Sequence, residues 1–546
     1  MGDSPVITDF RQRFAYARDA DVTLYDITIR IPNVIHIEPR GSGISARDSD
    51  GTDVSDAVKG LAECIDTSII YSPSLGEFSA PVRKGNILIL PISSRIPEIQ
   101  KGDIIVIPHL SRLDAPQQIV ETLLTIKEKR YDAVVYAPGC GIPWRVALLA
   151  YLGVDLTDTA GIPLPRGMRY TADGLIPDDS SISDLAGELR REIITIRHAL
   201  AEGTLRELVE RRSLVEPWMM AALRYSDIKE YEKMEYHYPV CSRVNASSRE
   251  ALNRPDVRRF RERVITRYEK PPFSDVLLLL PCSAKKPYSQ SRTHQIINEI
   301  IRSVNATSRV HRVVVTSPLG VVPEELDILP PASSYDIPVI GIWDENEASM
   351  ITSCLEAYLR KNKYAYIINH ATDDIPSLRE LSNETTLEGH PLSERSLENL
   401  KTRLQRYIGD NDRSMLKVWR WKAVSRFQFG VSLEIDAVRT IRDTAHLYSK
   451  GELVGFSRSS FIIPSFAGAA QMMEKRVHLV EIGDFPLRGD IFAPGVTSTT
   501  QDFRIGDQVI AHAGGHPRAI GVAAMTPREM VELDRGIAIR VHTRIK

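Results

Sequence analysis

Fourteen consecutive residues gather most of the reactive side-chain types that nucleophilic chemistry uses. The stretch PCSAKKPYSQSRTH carries Pro281, Cys282, Lys286, Pro287, Tyr288, Ser291 and His294. A cysteine attacks as its thiolate, and a nearby cation or a helix N-terminus favours that form. Lys286 supplies the cation. Ser289 or Ser291 can cap a helix that follows, with His294 in its first turn. An imidazole with an unperturbed pKa of about 6.5 both gives and takes protons at neutral pH, so His294 is the candidate acid–base group. A thiol, an imidazole and a cation this close together suit covalent catalysis. The plainer reading is a buried structural cysteine beside a capping serine.

The elements around the stretch give it a place. Ser274–Pro281 (SDVLLLLP) is a continuous apolar run, the mark of a strand buried on both faces of a parallel sheet. An amphipathic helix follows near Ser291–Val304, with Ile296, Ile297, Ile300 and Ile301 on one face. Strands at Val310–Thr316, Ile337–Trp343 and Tyr364–Asn369, with a helix at Glu345–Arg360, complete a doubly wound α/β domain over 273–400. Ligands bind such sheets outside the carboxyl ends of the strands, where Cys282 falls. The end of this domain, 371–400, is acidic and serine-rich and reads as a linker. Residues 401–474 read as a small α+β domain, and 475–546 as short strands between Gly and Pro turns, a compact β-barrel.

The N-terminal part, 1–240, alternates strands and helices. Strands are expected at Tyr25–Ile29, Val34–Ile37, Ile104–Ile107 and Ala133–Tyr136, and helices at Val120–Glu128, Pro143–Leu152 and Ser183–Val209. Gly41-Ser42-Gly43-Ile44-Ser45-Ala46 has dinucleotide spacing, but no apolar helix follows it, so it reads as a loop. A P-loop is absent from the sequence. Cys140, in APGCGIPW, follows an apolar strand and can line a pocket. Cys64 and Cys354 read as core. His237 and Cys241 lie four apart without a second pair, so no metal site is expected.

Composition bounds the rest. The chain has 546 residues, 43% hydrophobic and 26% charged, which excludes wholesale disorder. Five cysteines without paired spacing make no disulfide framework and fit a reducing cytoplasm. No apolar run approaches the ~18 residues of a membrane helix, and the first residues carry no secretory or myristoylation signal. Net charge is −2, yet 241–272 is a basic linker with six arginines between Arg254 and Arg267, opposed by Asp256 and Glu262. They form either a solvated helix face or a face for phosphates, with Arg258 and Arg259 as the contacts.

The pattern Pro-Cys-x3-Lys-Pro-Tyr-x2-Ser-x2-His resembles that of the archaeosine synthases, archaeal relatives of tRNA-guanine transglycosylase. The C-terminal residues GDIFAPGV (489–496), Arg504-x-Gly506-Asp507-x-Val509, Pro517, Gly521, Glu529-Met530 and Gly536 resemble a PUA RNA-binding domain. Arg426–Gly430 and Phe466–Ala469 resemble the small domain that precedes it in archaeal transglycosylases. Residues 1–240, through YDAVVYAPGCGIPWRVALLAYLGVDLTDT, resemble a degenerate transglycosylase α/β barrel without its Cys-rich zinc cluster.

What the resemblance implies is a cytoplasmic tRNA-modifying transferase. It acts on 7-cyano-7-deazaguanine in the tRNA D-loop and adds an amine, the side chain of L-lysine, across the nitrile toward the formamidine of archaeosine. A radical-SAM partner then cleaves the adduct. Lysine is a co-substrate, and no cofactor or metal is called for. Cys282 would attack the nitrile, His294 move protons, Lys286 lower the thiol pKa or orient substrate, Tyr288 stack on or hydrogen-bond the deazapurine, and Ser291 cap the helix or hold lysine. Gly495, Arg504 and Gly506 would contact RNA. A homodimer is compatible with the sequence. Two other readings stay open: a non-catalytic tRNA-binding subunit, and a transglycosylase that inserts the cyano base itself.

Overall fold

The computed structural model describes residues 6–24, 26–40, 43–64, 80–92, 94–108, 110, 115–178, 184–240, 244–337, 342–409, 413–457 and 460–545. Tyr25 and Cys241 lie outside them. The chain divides into two units. One holds Met1–Pro239, Phe492–Pro494 and Glu532–Ile537; the other holds Val240–Ile491, Gly495–Val531 and Ala538–Lys546. No described helix is long and apolar enough to cross a membrane.

The first unit is built on a seven-stranded sheet. Its order is Gly43–Asp48, Asn33–Arg40, Leu156–Asp158, Val134–Ala137, Ile104–Val106, Ile87–Ile89, Val82–Lys84. The strands Ile104–Val106, Val134–Ala137 and Leu156–Asp158 run parallel and are buried throughout; the first two read as apolar runs for that reason, whereas Leu156–Asp158 carries Thr157 and Asp158. An antiparallel strand closes each end. Among the described residues this sheet is open, so the expected α/β barrel is not what 1–240 forms there. The expected loop at Gly41–Ala46 instead contributes the edge strand from Gly43. The single helix expected at Ser183–Val209 is two, Leu185–Glu202 and Leu205–Ser213. Gly203 separates them at φ +69°, a left-handed cap that only glycine adopts without cost. Asp155, just before Leu156–Asp158, accepts from Arg18 Nε on strand Ala17–Leu24 of a separate three-stranded sheet and from Lys127 Nζ on helix Pro116–Lys129, both at 2.8 Å, and all three are buried.

The second unit carries a five-stranded sheet in the order Gly320–Pro323, Val310–Thr316, Val276–Pro281, Tyr366–Asn369, Glu384–Thr385. All but the first strand are parallel. Helices Arg292–Ser303 and Glu345–Lys361 match expectation within two residues. One expectation fails and another lies mostly outside the described residues. Of the strand expected at Ile337–Trp343, 338–341 are outside them, and Ile337, Ile342 and Trp343 are irregular. The stretch 371–400 is no linker, because helix Pro376–Leu381, the edge strand Glu384–Thr385 and helix Glu394–Leu404 belong to the sheet domain. The basic stretch 241–272 is likewise structured, with helix Pro255–Thr266 burying Val257, Phe260 and Val264.

The small α+β domain has helix Arg413–Phe429, a four-stranded antiparallel sheet from Ala437 to Pro464, and helix Phe466–Glu474. The C-terminal domain is a sheet that includes Leu479–Ile482, Val496–Thr499, Gln508–Ala513, His516–Ala523 and Ile537–Arg544.

Candidate active site

The strand Val276–Pro281 sits where the winding of its sheet reverses. The chain leaves it through helix Arg292–Ser303 to pair Val310–Thr316 on one side. It later returns through helix Glu345–Lys361 to pair Tyr366–Asn369 on the other. Crossovers that depart in opposite directions leave a crevice at the carboxyl ends of the strands. A cavity of about 490 Å³ lies there, lined by Pro281, Cys282, Ser317, Trp343, Asp344, Glu347, Thr372 and His390 among others. That volume is within the range of small-molecule sites.

Of the five side chains expected to be catalytic, Cys282 alone lines this cavity. Burial pushes its thiol pKa up, against the downward pull of Lys286 and of Thr316. The expected net lowering is therefore reversed: the loss of solvation outweighs one half-buried cation. Lys286 rests its ammonium 4.1 Å from the centre of the Tyr335 ring, and burial lowers its own pKa.

Tyr288, Ser291 and His294 turn inward. Tyr288 is buried, donating to Thr316 Oγ1 at 3.1 Å and bonded to the Tyr335 hydroxyl, so it is unavailable to stack on a base. Ser291 caps its helix, accepting from the His294 backbone N–H at 3.3 Å. His294 is 5% exposed, and its Nε2–H donates to the Pro281 carbonyl at 3.0 Å. Burial holds its pKa at about 4, so the ring is neutral and committed, not a proton shuttle at neutral pH. These three residues fix the turn that presents Cys282.

Sequence reading missed the opposite wall. Asp344 caps helix Glu345–Lys361: its Oδ1 accepts from the Glu347 N–H at 2.9 Å, and Glu347 Oε2 accepts from the Asp344 N–H at 3.2 Å. Arg249 lies 3.3 Å from Asp344 Oδ2. Ser317, 5% exposed, lines the cavity with a hydroxyl that has no partner among the described residues. The signal was Asp344-x-x-Glu347 before an apolar run, a capping-box spacing. Elsewhere His311, Glu324 and Glu325 bring ligand atoms within 4.8 Å of one another. Their protein partners already occupy them: Arg312 pairs with Glu324, and Tyr268 donates to Glu325 at 2.8 Å.

Known proteins resemble the chain along its length. A profile described as Domain of unknown function (DUF5591) matches residues 257–404. The archaeosine synthase subunit alpha of Thermoplasma acidophilum is 30% identical over 97% of this chain and 98% of its own. The chain belongs to the archaeosine synthase family. The archaeosine synthase subunit alpha of Methanosarcina acetivorans is 33% identical over 78% of this chain and 77% of its own. A tRNA-guanine(15) transglycosylase of Methanococcus maripaludis is 24% identical over 79% of this chain and 68% of its own.

The PUA domain profile matches residues 483–545. Within this archaeosine synthase fold, Gly495 packs so tightly on Phe485 that a Cβ would lie 2.9 Å from its ring, and Gly506 turns at φ +93°. Arg504 donates through Nη1 to the Phe503 carbonyl at 3.0 Å. The arginines of 254–267 turn largely to protein. Arg254 is buried against Asp256, Arg259 is 7% exposed, and Arg258 lies 3.2 Å from Glu262. Arg261 donates to the Pro318 carbonyl at 2.7 Å, and Arg267 to those of Phe427 and Gln428. Neither an open phosphate face nor a simple solvated face describes this helix.

Proposed function

We propose that this chain modifies tRNA, adding a primary amine across the nitrile of 7-cyano-7-deazaguanine to build the amidine of archaeosine. One observation carries the reading: Cys282 opens onto a cavity at the switch point of a parallel sheet, in a chain of this family. The thiol S–H adds across C≡N, so that Sγ bonds the nitrile carbon and the proton goes to nitrogen. The amine then displaces sulfur from the thioimidate, giving the amidine and restoring the thiol. Atoms balance without ATP or an oxidant. Burial raises the thiol pKa and keeps the proton on sulfur in the resting site, so the proton that sulfur gives up as it attacks as thiolate is the one the nitrile nitrogen takes.

The amine donor in this reading is the side chain of lysine, and a radical-SAM partner cleaves the adduct. The base leaves its stack to enter the cavity, and backbone contacts through the PUA domain, including Arg504, offset an unstacking cost of a few kcal/mol. The N-terminal unit, on this view, descends from the transglycosylase fold and serves tRNA placement.

The test is mass analysis of nucleosides from cyano-base tRNA incubated with this protein and lysine alone. A nucleoside heavier by one lysine is the expected product. Unchanged nucleosides, with tRNA binding intact, would return the chain to a binding role.

A further inference from the structure

The addition needs an amine held beside the nitrile carbon, and the residues expected to manage that have other duties. His294 is tied to the Pro281 carbonyl, and Lys286 sits on the Tyr335 ring. The wall across from Cys282 carries the charge instead. Asp344 uses Oδ1 on the helix cap and Oδ2 on Arg249. Glu347 uses only Oε2, on the Asp344 N–H; its Oε1 has no hydrogen bond among the described residues. Glu347 lines the cavity and lies close enough to the thiol to act on its ionisation. Held by its helix and by the reciprocal cap, this carboxylate is preorganised. The unpartnered Ser317 hydroxyl in the same cavity is a second polar group built to receive a ligand.

We infer that Glu347 is the anchor for a second cationic group of the amine donor, making the site selective for donors with two ammonium groups over simple alkylamines. The inference rests on the amine-addition reading above and adds to it the residue that chooses the donor. The free Oε1 accepts a charge-assisted hydrogen bond from one ammonium, leaving the other, as the neutral amine, to reach the nitrile carbon. Arg249, mostly exposed beside Asp344, is placed to take a carboxylate when the donor is an amino acid. No bond forms or breaks at Glu347.

The test uses the full chain, cyano-base tRNA and three donors: lysine, cadaverine (two ammoniums, no carboxylate) and butylamine (one). Wild type should take lysine and cadaverine at KM values well below that of butylamine. Glu347→Gln keeps an oxygen for the Asp344 N–H, because glutamine also completes a capping box, so the helix should hold. It should raise KM for lysine and cadaverine by about 10- to 100-fold, the scale of one lost charged hydrogen bond. KM for butylamine, KM for tRNA and kcat should change little. An unchanged lysine KM in Glu347→Gln would overturn the assignment, as would a wild type that takes butylamine as readily as cadaverine. If wild type makes no adduct with any donor, the amine-addition reading falls and takes this anchor with it.

Discussion

Two cysteines stand at the carboxyl ends of buried parallel strands, and they meet opposite fates. Cys140 follows Val134–Ala137 in the first unit; Cys282 follows Val276–Pro281 in the second. Cys140 is sealed at 0% exposure, with its N–H on Thr157 Oγ1 at 3.1 Å. Next to it, Gly139 and Gly141 donate to Asp158, and a Cβ at Gly141 would lie 2.6 Å from the Asp158 carbonyl. Cys282 opens onto the cavity. The difference is one of winding. Strands Ile87–Ile89, Ile104–Val106, Val134–Ala137 and Leu156–Asp158 step steadily in one direction, so each strand-end turn packs on the next. The second sheet reverses at Val276–Pro281, and a reversal parts the neighbouring connections.

The largest expected effect tests that contrast directly. Cys282→Ala should lower adduct formation by at least about a thousandfold, the scale of losing a covalent nucleophile, with tRNA affinity unchanged. Cys140→Ala should leave kcat alone and cost about 1–2 kcal/mol of stability, read as a lower urea midpoint. If the two variants exchange phenotypes, the assignment of the reactive turn is wrong.

How much of this was readable in the sequence follows from the same pair. Both turns announced themselves, since an apolar run of buried strand broken by a short loop, rich in Pro and Gly after Val134–Ala137 and in Ser and Lys after Val276–Pro281, needs no tertiary knowledge. The sheet order that separates them was not written locally. Nor was the inward orientation of Tyr288 and His294, because residue type says what a side chain can do and burial says what it is left to do. Glu384–Thr385 escaped notice because a two-residue edge strand in acidic surroundings has no hydrophobic period to read. Gly203, by contrast, was visible and undervalued inside an otherwise helical run.

A second, intermediate effect separates scaffold from chemistry through pH. The folded pKa of His294 is depressed to about 4 by burial, against about 6.5 when unfolded. Between those values the unfolded chain binds more protons, so stability is fully present above pH ~6.5 and is lost as pH falls toward 4. The loss amounts to roughly 3 kcal/mol at most for this ring. His370, held near 4 for the same reason, adds to the same window. Urea midpoints measured from pH 7 to pH 4 should fall, and His294→Gln should flatten part of that slope. The rate profile should show no limb near pH 6.5. A limb there that vanishes in His294→Gln would restore the imidazole as a proton shuttle.

The smallest expected effect concerns Lys286, the cation whose charge pulls the thiol pKa down. Its ammonium already has a partner in the Tyr335 ring, and its pull on Cys282 is weaker than the push of burial. Lys286→Met keeps the length and apolar contact of the side chain while removing the charge. The thiol pKa should rise further, because the main opposing influence is gone, so alkylation of Cys282 by iodoacetamide should slow several-fold at pH 8 and need more alkaline solution to recover. Adduct formation from the resting thiol should fall much less, since the proton that sulfur gives up as it attacks is the one the nitrile nitrogen takes. The two readouts therefore part company in this variant. If adduct formation falls as steeply as alkylation, sulfur reacts as a thiolate already formed in the resting site, and the proton for nitrogen comes from another group.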